Sequence, residues 1–455
     1  GISLNKGSDL TAASIVLRGY GTPDQASTDQ AADQMVITTD QTNQNSKNHG
    51  VFIKSASIRS ENDLRIEGFA GSGQELLDGV HIKKSHLVAD DGMTIRGHGS
   101  YDVNGTIKFS DGIYSFDSTF ESNGLINLVG TGADGQKLKR NFGVELDNME
   151  IHGSDVRIKG EGGSASKKSK ESSGILLTDT NIQALHTVEI KGYGGSGVRN
   201  VDISDGVTLY SSTIGGDTLK IKGFGVFDGD NVNQSSGVYL EGGSLDAAES
   251  ISIRGFSGYG DELELSNGVD LISTRLFADS IKISGRPGSD HSDSFGLLNQ
   301  GIKIVDSQLN ATDHLSLRGT GGPGIELLDG IEVSNSQLTS GRSLQMFGHG
   351  GEGENISSST GMFIGDQSKI RAPRLTLEGK GGSSTMRGNG GSSTITEYRD
   401  TDGTYLNDGI VVVDSIIRSV QGVPALTSSQ PRSKLVIDGE GGEIIGDSFG
   451  RGDLN

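Results

Sequence analysis

Apolar residues in this chain recur at intervals of two, and they hold one register through a much longer repeat. In residues 301–322, GIKIVDSQLNATDHLSLRGTGG, counting from the opening glycine puts Ile302 and Ile304 at offsets 1 and 3, Leu309 at 8, and Leu315 and Leu317 at 14 and 16. Ser307 and Ala311 fall at offsets 6 and 10, Gly319 and Gly321 at 18 and 20. Within each run the step is two, not the recurring threes and fours of a helix, so the pattern predicts strands with one side inward and the other outward.

The segment returns from opening glycines at Gly1, Gly50, Gly79, Gly112, Gly143, Gly174, Gly206, Gly237, Gly268, Gly301, Gly330, Gly361 and Gly409. That makes 13 units, and ten of the twelve spacings lie between 29 and 33 residues. The other two spacings, 49 and 48, keep the template and lengthen the loop after its second half. A fixed period of this size marks a solenoid. Since each unit offers only strands, the expected fold is an all-β parallel β-helix of about 13 coils of ~31 residues, one coil per unit. Residues 1–455 are read as one continuous rod, ~60 Å long at ~4.8 Å per coil. Its largest insertions, 22–49 and 382–408, are the expected places for partner contacts.

Offset 6 carries a hydroxyl in eight units: Ser85, Ser118, Thr180, Ser212, Thr274, Ser307, Ser336 and Ser415. A hydroxyl repeated at one corner can bond its own backbone and the neighbouring coil, so the column is read as a turn ladder. The loops lead back to the next unit through LLDG, LSNG, LLNQG and LNDG. Their leucines, among them Leu76, Leu77, Leu297, Leu298, Leu327 and Leu328, are expected to fold the loops onto the rod.

Composition alters this picture little. Hydrophobic content is 32% with 72 Gly, which suits a stack of coils that bury their aliphatics against each other. With no Cys, disulfides, thiolate metal sites and thiol catalysis are excluded. A net charge of −20 disfavours nucleic acid. No apolar run approaches the ~18 residues of a spanning helix, so no membrane insertion is expected. The chain has no initiator Met or signal peptide and reads as a mature or excised segment. Joining Asn455 to Gly1 would make DLN-GISL, an in-frame junction, and neither end reads as a polar cap. An uncapped coil edge exposes unpaired backbone. The expectation is therefore a piece of a longer repeat protein or a subunit that stacks head to tail.

The GI-x-I-xx-S-x-L-x-A…I-x-L-x-G-x-GG pattern resembles the repeats of filamentous haemagglutinin-type large exoproteins, two-partner-secreted proteins found notably in cyanobacteria. The resemblance runs through all 13 units and lacks the family's amino-terminal secretion domain. It implies a right-handed helix, an extracellular or cell-surface location, and a role as an adhesin or structural filament.

Two outward stripes could carry function. The residue before the first glycine of the GxG gives a basic stripe: Arg18, Arg96, Lys159, Lys191, Lys222, Arg254 and Arg318. Like charges ~5 Å apart on successive coils need acidic neighbours or an external polyanion. The middle GxG residue gives an aromatic stripe: Tyr20, Phe69, His98, Tyr193, Phe224, Phe256 and His349. Such rings either pack on one another or offer faces to a sugar or a second rod. Expected partners are thus other copies of the chain, head to tail and laterally, or a polysaccharide.

Parallel β-helices include polysaccharide lyases and hydrolases, but no enzymatic activity is expected, because nothing gathers a carboxylate pair or an aromatic-lined groove at one place. The nine histidines form no HxxxH or HxH pair, so no metal site is expected. Asp400 and Asp402-Gly403 only faintly echo a calcium loop, leaving calcium as an adventitious ion and no cofactor. Arg451-Gly452-Asp453 is read as a chance tripeptide.

Overall fold

In a computed structural model, residues 2–20, 35–37, 48–71, 76–196, 198–286, 296–354, 359–388, 391–395, 410–419 and 434–440 are described. The chain is an all-β parallel solenoid, with strand on three faces through about nine turns, and among the described residues there is no helix. The opening glycines Gly1 and Gly409, the Asp400–Asp402 stretch, the Arg-Gly-Asp tripeptide and most of the two long insertions lie outside the described residues. The contacts divide the chain into two compact units, Gly1–Ser235 and Ser236–Asn455.

In the first unit the aliphatics after each opening glycine form one face. Its strands include Val51–Lys54, Val80–Lys83, Ile113–Phe116, Val144–Asp147, Ile175–Thr178 and Val207–Tyr210. Each pairs parallel with the next in the register set by the repeat: Val51 lies beside Val80, Val80 beside Ile113, and Ile113 beside Val144. The second half of each repeat supplies the opposing face, as in His86–Ala89 and Gly92–His98. Val80, Ile82, Leu87, Met93 and Ile95 are all fully buried, so the even spacing of the sequence becomes the core of the coil.

The second unit repeats this with Val238–Glu241, Val269–Ile272, Ile302–Val305, Ile331–Ser334 and Met362–Gly365 on the first face. Longer strands such as Gln308–Thr320 run through the corner on the second. Here too Ile302, Ile304, Leu309, Leu315 and Leu317 are buried.

The corner between the faces turns on one residue per coil with positive φ, for example Asp117, Asn148, Asp179, Asp306 and Asn335. Asn and Asp tolerate this left-handed conformation better than other side-chain-bearing residues. After Asp117, Asp179, Asp306 and Asn335 the next residue is the offset-6 hydroxyl, which forms the expected ladder, while Asn148 is followed by Met149. Ser307 donates to its own Val305 carbonyl at 2.7 Å and accepts the Thr274 N–H at 3.1 Å; Ser336 in turn accepts the Ser307 N–H at 3.0 Å. Ser368 continues the column by accepting from Ser336 N at 3.2 Å. The extra residue in the Gly361 unit moves Ser368 one place and hides it from a fixed-offset reading.

The segments read as loops are largely strand. Tyr101–Phe109, Asp134–Arg140, Ala165–Glu171 and Arg199–Ile203 pair parallel as a third face of the first unit. Their few apolar positions, such as Ile107, Leu138 and Val201, are buried within otherwise polar strands. A pinch sets this third face apart. A Cβ on Gly97 would stand 1.8 Å from the Gly112 carbonyl oxygen, so only bare backbone lets the chain close on itself there. Bonds across each neck tighten it: Ser100 N–H donates to Ser110 Oγ at 2.9 Å and Gly195 N–H to Ser204 Oγ at 3.1 Å. Of the returning leucines, Leu77 and Leu328 are fully buried while Leu327 is exposed, as strand alternation requires.

Both long insertions contribute strand where they are described. Met35–Ile37 pairs parallel with Ile15–Leu17, on the edge opposite Asp63–Phe69. Ser383–Gly388 and Gly391–Ile395 form an antiparallel pair.

Candidate functional site: the outward stripes and a buried polar seam

The two outward stripes sit two residues apart on the same strands and so flank one another along the second face. In the first unit the basic column runs Arg18, Glu67, Arg96, Val129, Lys159, Lys191, Lys222 in register. Glu67 sits between the first two arginines and ion-pairs with Arg18 at 2.9 Å. The three lysines that follow are adjacent, with no acid between them in the column. Their ammonium groups lie against rings instead: Lys159 and Lys191 over Tyr193 at 5.8 and 5.0 Å, and Lys222 over Phe224 at 4.7 Å. The quadrupole of a ring face attracts such a cation.

The aromatic column runs Tyr20, Phe69, His98, Thr131, Glu161, Tyr193, Phe224. Its rings stack nearly parallel. Tyr20 and Phe69 are 5.1 Å apart, Phe69 and His98 4.8 Å, and Tyr193 and Phe224 4.9 Å, with interplanar angles of 5°, 7° and 3°. Burial and the nearby Arg96 hold the His98 imidazole below its usual range, against the pull of Glu67. Because the faces look along the stack, a sugar approaching from solvent meets ring edges.

In the second unit the basic column reads Arg254, Ser284, Arg318, Phe347, Glu378, and the one beside it contains Thr320, His349 and Lys380. Phe256 lies beside Arg286 rather than another ring. A shallow groove runs between Arg318, Phe347 and Glu378 on one side and Thr320, His349 and Lys380 on the other. The sequence stripes therefore converge on one face in each unit, but ring stacking and salt-linking divide them into short runs.

A second constellation was not apparent in the sequence. Several polar residues just before an opening glycine, among them Asp78, Asp111, Asp205 and Asp329, and some two after it, His81, Glu145 and Asp270, are buried. In the first unit His49, Asp78 and His81 meet: Asp78 Oδ2 lies 2.8 Å from His81 Nδ1 and 3.4 Å from His49 Nδ1. The Asp78 N–H donates to His49 Nδ1 at 3.3 Å. Burial raises the Asp78 carboxyl, but the His81 hydrogen bond and the two imidazole charges outweigh it and leave the group below its ordinary value.

Over the next two rungs, Asp111, Glu145 and Arg140 form a tighter group, with Arg140 bonded to Glu145 and Asp111 accepting the Phe142 N–H at 2.7 Å. Burial, with Glu145 and Asp78 nearby, drives Asp111 well up; burial raises Glu145 to about 7 against the pull of Arg140. The second unit has its own version in Asp270, which accepts from Ser236 Oγ and Asn267 Nδ2 at 2.7 Å each. Burial raises Asp270 to about 6 in spite of those bonds. The signal was present in sequence: a period of 29 puts His49 directly beside Asp78, and His81 follows Asp78 by three positions.

Among the described residues no helix is long and apolar enough to cross a membrane. No family model, no curated protein and no solved structure matches the chain.

Proposed function

We propose that the chain is a structural segment of an extracellular or cell-surface filament or adhesin, a right-handed β-helix of 13 coils over residues 1–455 that assembles by head-to-tail continuation. The observation that supports this is how each rung spends its chemistry on the next. Aliphatics, corner hydroxyls, asparagines and ring faces are all used between neighbouring coils. Asn148 Nδ2, for instance, donates to Asp117 Oδ1 at 2.6 Å, and Tyr193 presents its face to Phe224. Such ladders extend by repetition, and the haemagglutinin-type repeat pattern points the same way. No catalytic activity is part of this reading.

Negative-stain electron microscopy of the purified chain tests it: fibres, or rods that lengthen with concentration, are expected, and monodisperse short particles at every concentration refute it. Lateral contacts are expected to use the lysine run, so Lys191→Glu with Lys222→Glu should reduce bundling. The groove between Arg318 and His349 supports a second reading, an acidic polysaccharide bound along the rod; glycan-array binding that Arg318→Ala abolishes would favour it.

A further inference from the structure

We propose that His49, Asp78 and His81 form a binding site for a divalent cation of the zinc class, which ties two successive rungs of the first unit together. His49 precedes the strand Val51–Lys54, while Asp78 and His81 belong to the next rung. One ligand atom from each lies within 4.8 Å of the others.

The spacing suits a small ion. With metal–nitrogen and metal–oxygen bonds of ~2.0–2.1 Å, ligand atoms in a tetrahedral shell stand ~3.3 Å apart. His49 Nδ1 and Asp78 Oδ2 are 3.4 Å apart already. The 2.8 Å contact from His81 Nδ1 to the same oxygen is a hydrogen bond, which the ion replaces with an opening of about half an ångström. The His81 ring then keeps its proton on Nε2. At His49 the ion takes the lone pair now directed to the Asp78 N–H over a long 3.3 Å.

The surroundings hold the donors in place. Asp78 Oδ1 accepts the Asp111 N–H at 3.1 Å, which leaves Oδ2 as the single ligating oxygen. Phe52 packs against both imidazoles, at 5.4 Å from His49 and 5.1 Å from His81, and Tyr114 lies 4.9 Å from His81. Ring orientation and a dry shell of this kind tune a metal site as much as its ligands do. The side chains are 8%, 2% and 11% exposed, so the site is nearly closed. Two imidazoles with one carboxylate favour zinc, cobalt or nickel over calcium or magnesium, and a water would complete four-coordination.

The test uses the whole chain, stripped with chelator and titrated with Co2+. One equivalent is expected to bind with the intense visible bands of four-coordinate cobalt, and Zn2+ to displace it. His49→Gln and His81→Gln should each weaken binding by about 100-fold or more, while His86→Gln and His152→Gln, at exposed positions, leave it unchanged. Binding of Co2+ unaltered in both ligand variants, or a six-coordinate all-oxygen spectrum, overturns the proposal. Should a ligand variant fail to fold, the parent chain decides: absence of a melting-temperature rise with one equivalent of Zn2+ also overturns it.

Discussion

The ring of Tyr193 lies 4.9 Å from that of Phe224 on the next rung, with planes only 3° apart, and Lys191 rests over the same Tyr193 ring. Both faces of the tyrosine are therefore engaged from within the fold. Stacked aromatic pairs contribute ~0.5–1.5 kcal/mol beyond the area they bury. A double-mutant cycle on Tyr193→Ala and Phe224→Ala, read by urea denaturation, is expected to give a coupling energy in that range. Zero coupling would mean that the rings stand side by side without supporting each other.

Gly319 marks the point where the chain touches itself in the second unit. A Cβ there would meet the Gly330 carbonyl oxygen at 1.8 Å, and one on Gly330 would meet the His349 nitrogen at 2.2 Å. Neither obstacle is a flexible side chain that could swing aside. Gly319→Ala is expected to cost ~3 kcal/mol or more through displaced backbone. Gly7, with open space around its Cβ but a positive φ, should suffer a smaller conformational cost. Paired denaturation curves would rank the two, and an equal or reversed order would argue against a pinch.

The corner hydroxyls make a sharper prediction because chemistry and size can be separated. Ser307→Ala removes the acceptor for the buried Thr274 N–H and should cost ~1–3 kcal/mol. Ser307→Thr keeps the hydroxyl and should cost far less, since Thr180 and Thr274 occupy the same column natively. Equal losses in the two variants would show that packing, not hydrogen bonding, holds the corner.

The sequence reading and the folded chain agree where burial demands strict alternation. Spacing alone puts Ile302, Ile304, Leu309, Leu315 and Leu317 inward, and recurrence puts Ser307 on the corner; all are buried there. The third face is not legible in the sequence because strands such as Ala165–Glu171, ASKKSKE, carry too few apolar residues to show a period. Their order comes from parallel pairing to neighbouring coils, a nonlocal cause that no single segment records. The buried seam was hidden for a related reason. His81, Glu145 and Asp270 follow an inward aliphatic and so take the outward parity, yet they are buried. Parity gives the side of a strand, not what covers that side.

Met35–Ile37 lies on the outer edge of Ile15–Leu17, on the side away from Asp63–Phe69. An added strand on an exposed edge blocks pairing with another chain. Replacing Met35 and Ile37 with proline should remove the backbone donors that strand pairing requires and uncover the edge. Faster self-association is expected, followed by light scattering at fixed concentration. An unchanged rate would show that this edge is not where copies join.

Asp270 gives the last prediction, a dependence on pH whose sign is fixed by burial. Its carboxyl is raised from the ordinary 3.8 to about 6, so the folded chain holds this proton more tightly than the unfolded one. Its contribution to stability is complete below pH ~4, where both states are protonated, and is lost as pH rises through about 6. A shift of about two pH units corresponds to ~3 kcal/mol at neutral pH. Asp270→Asn keeps the shape: its oxygen can accept from Asn267, and its amide can donate to Ser236 once that hydroxyl turns. The variant should therefore unfold at higher urea than the parent at pH 7.5, with the gap closing towards pH 4. If the parent is the more stable at pH 7.5, the ionised carboxylate is contributing more through its two hydrogen bonds than its burial costs, and the sign assigned to this group is wrong.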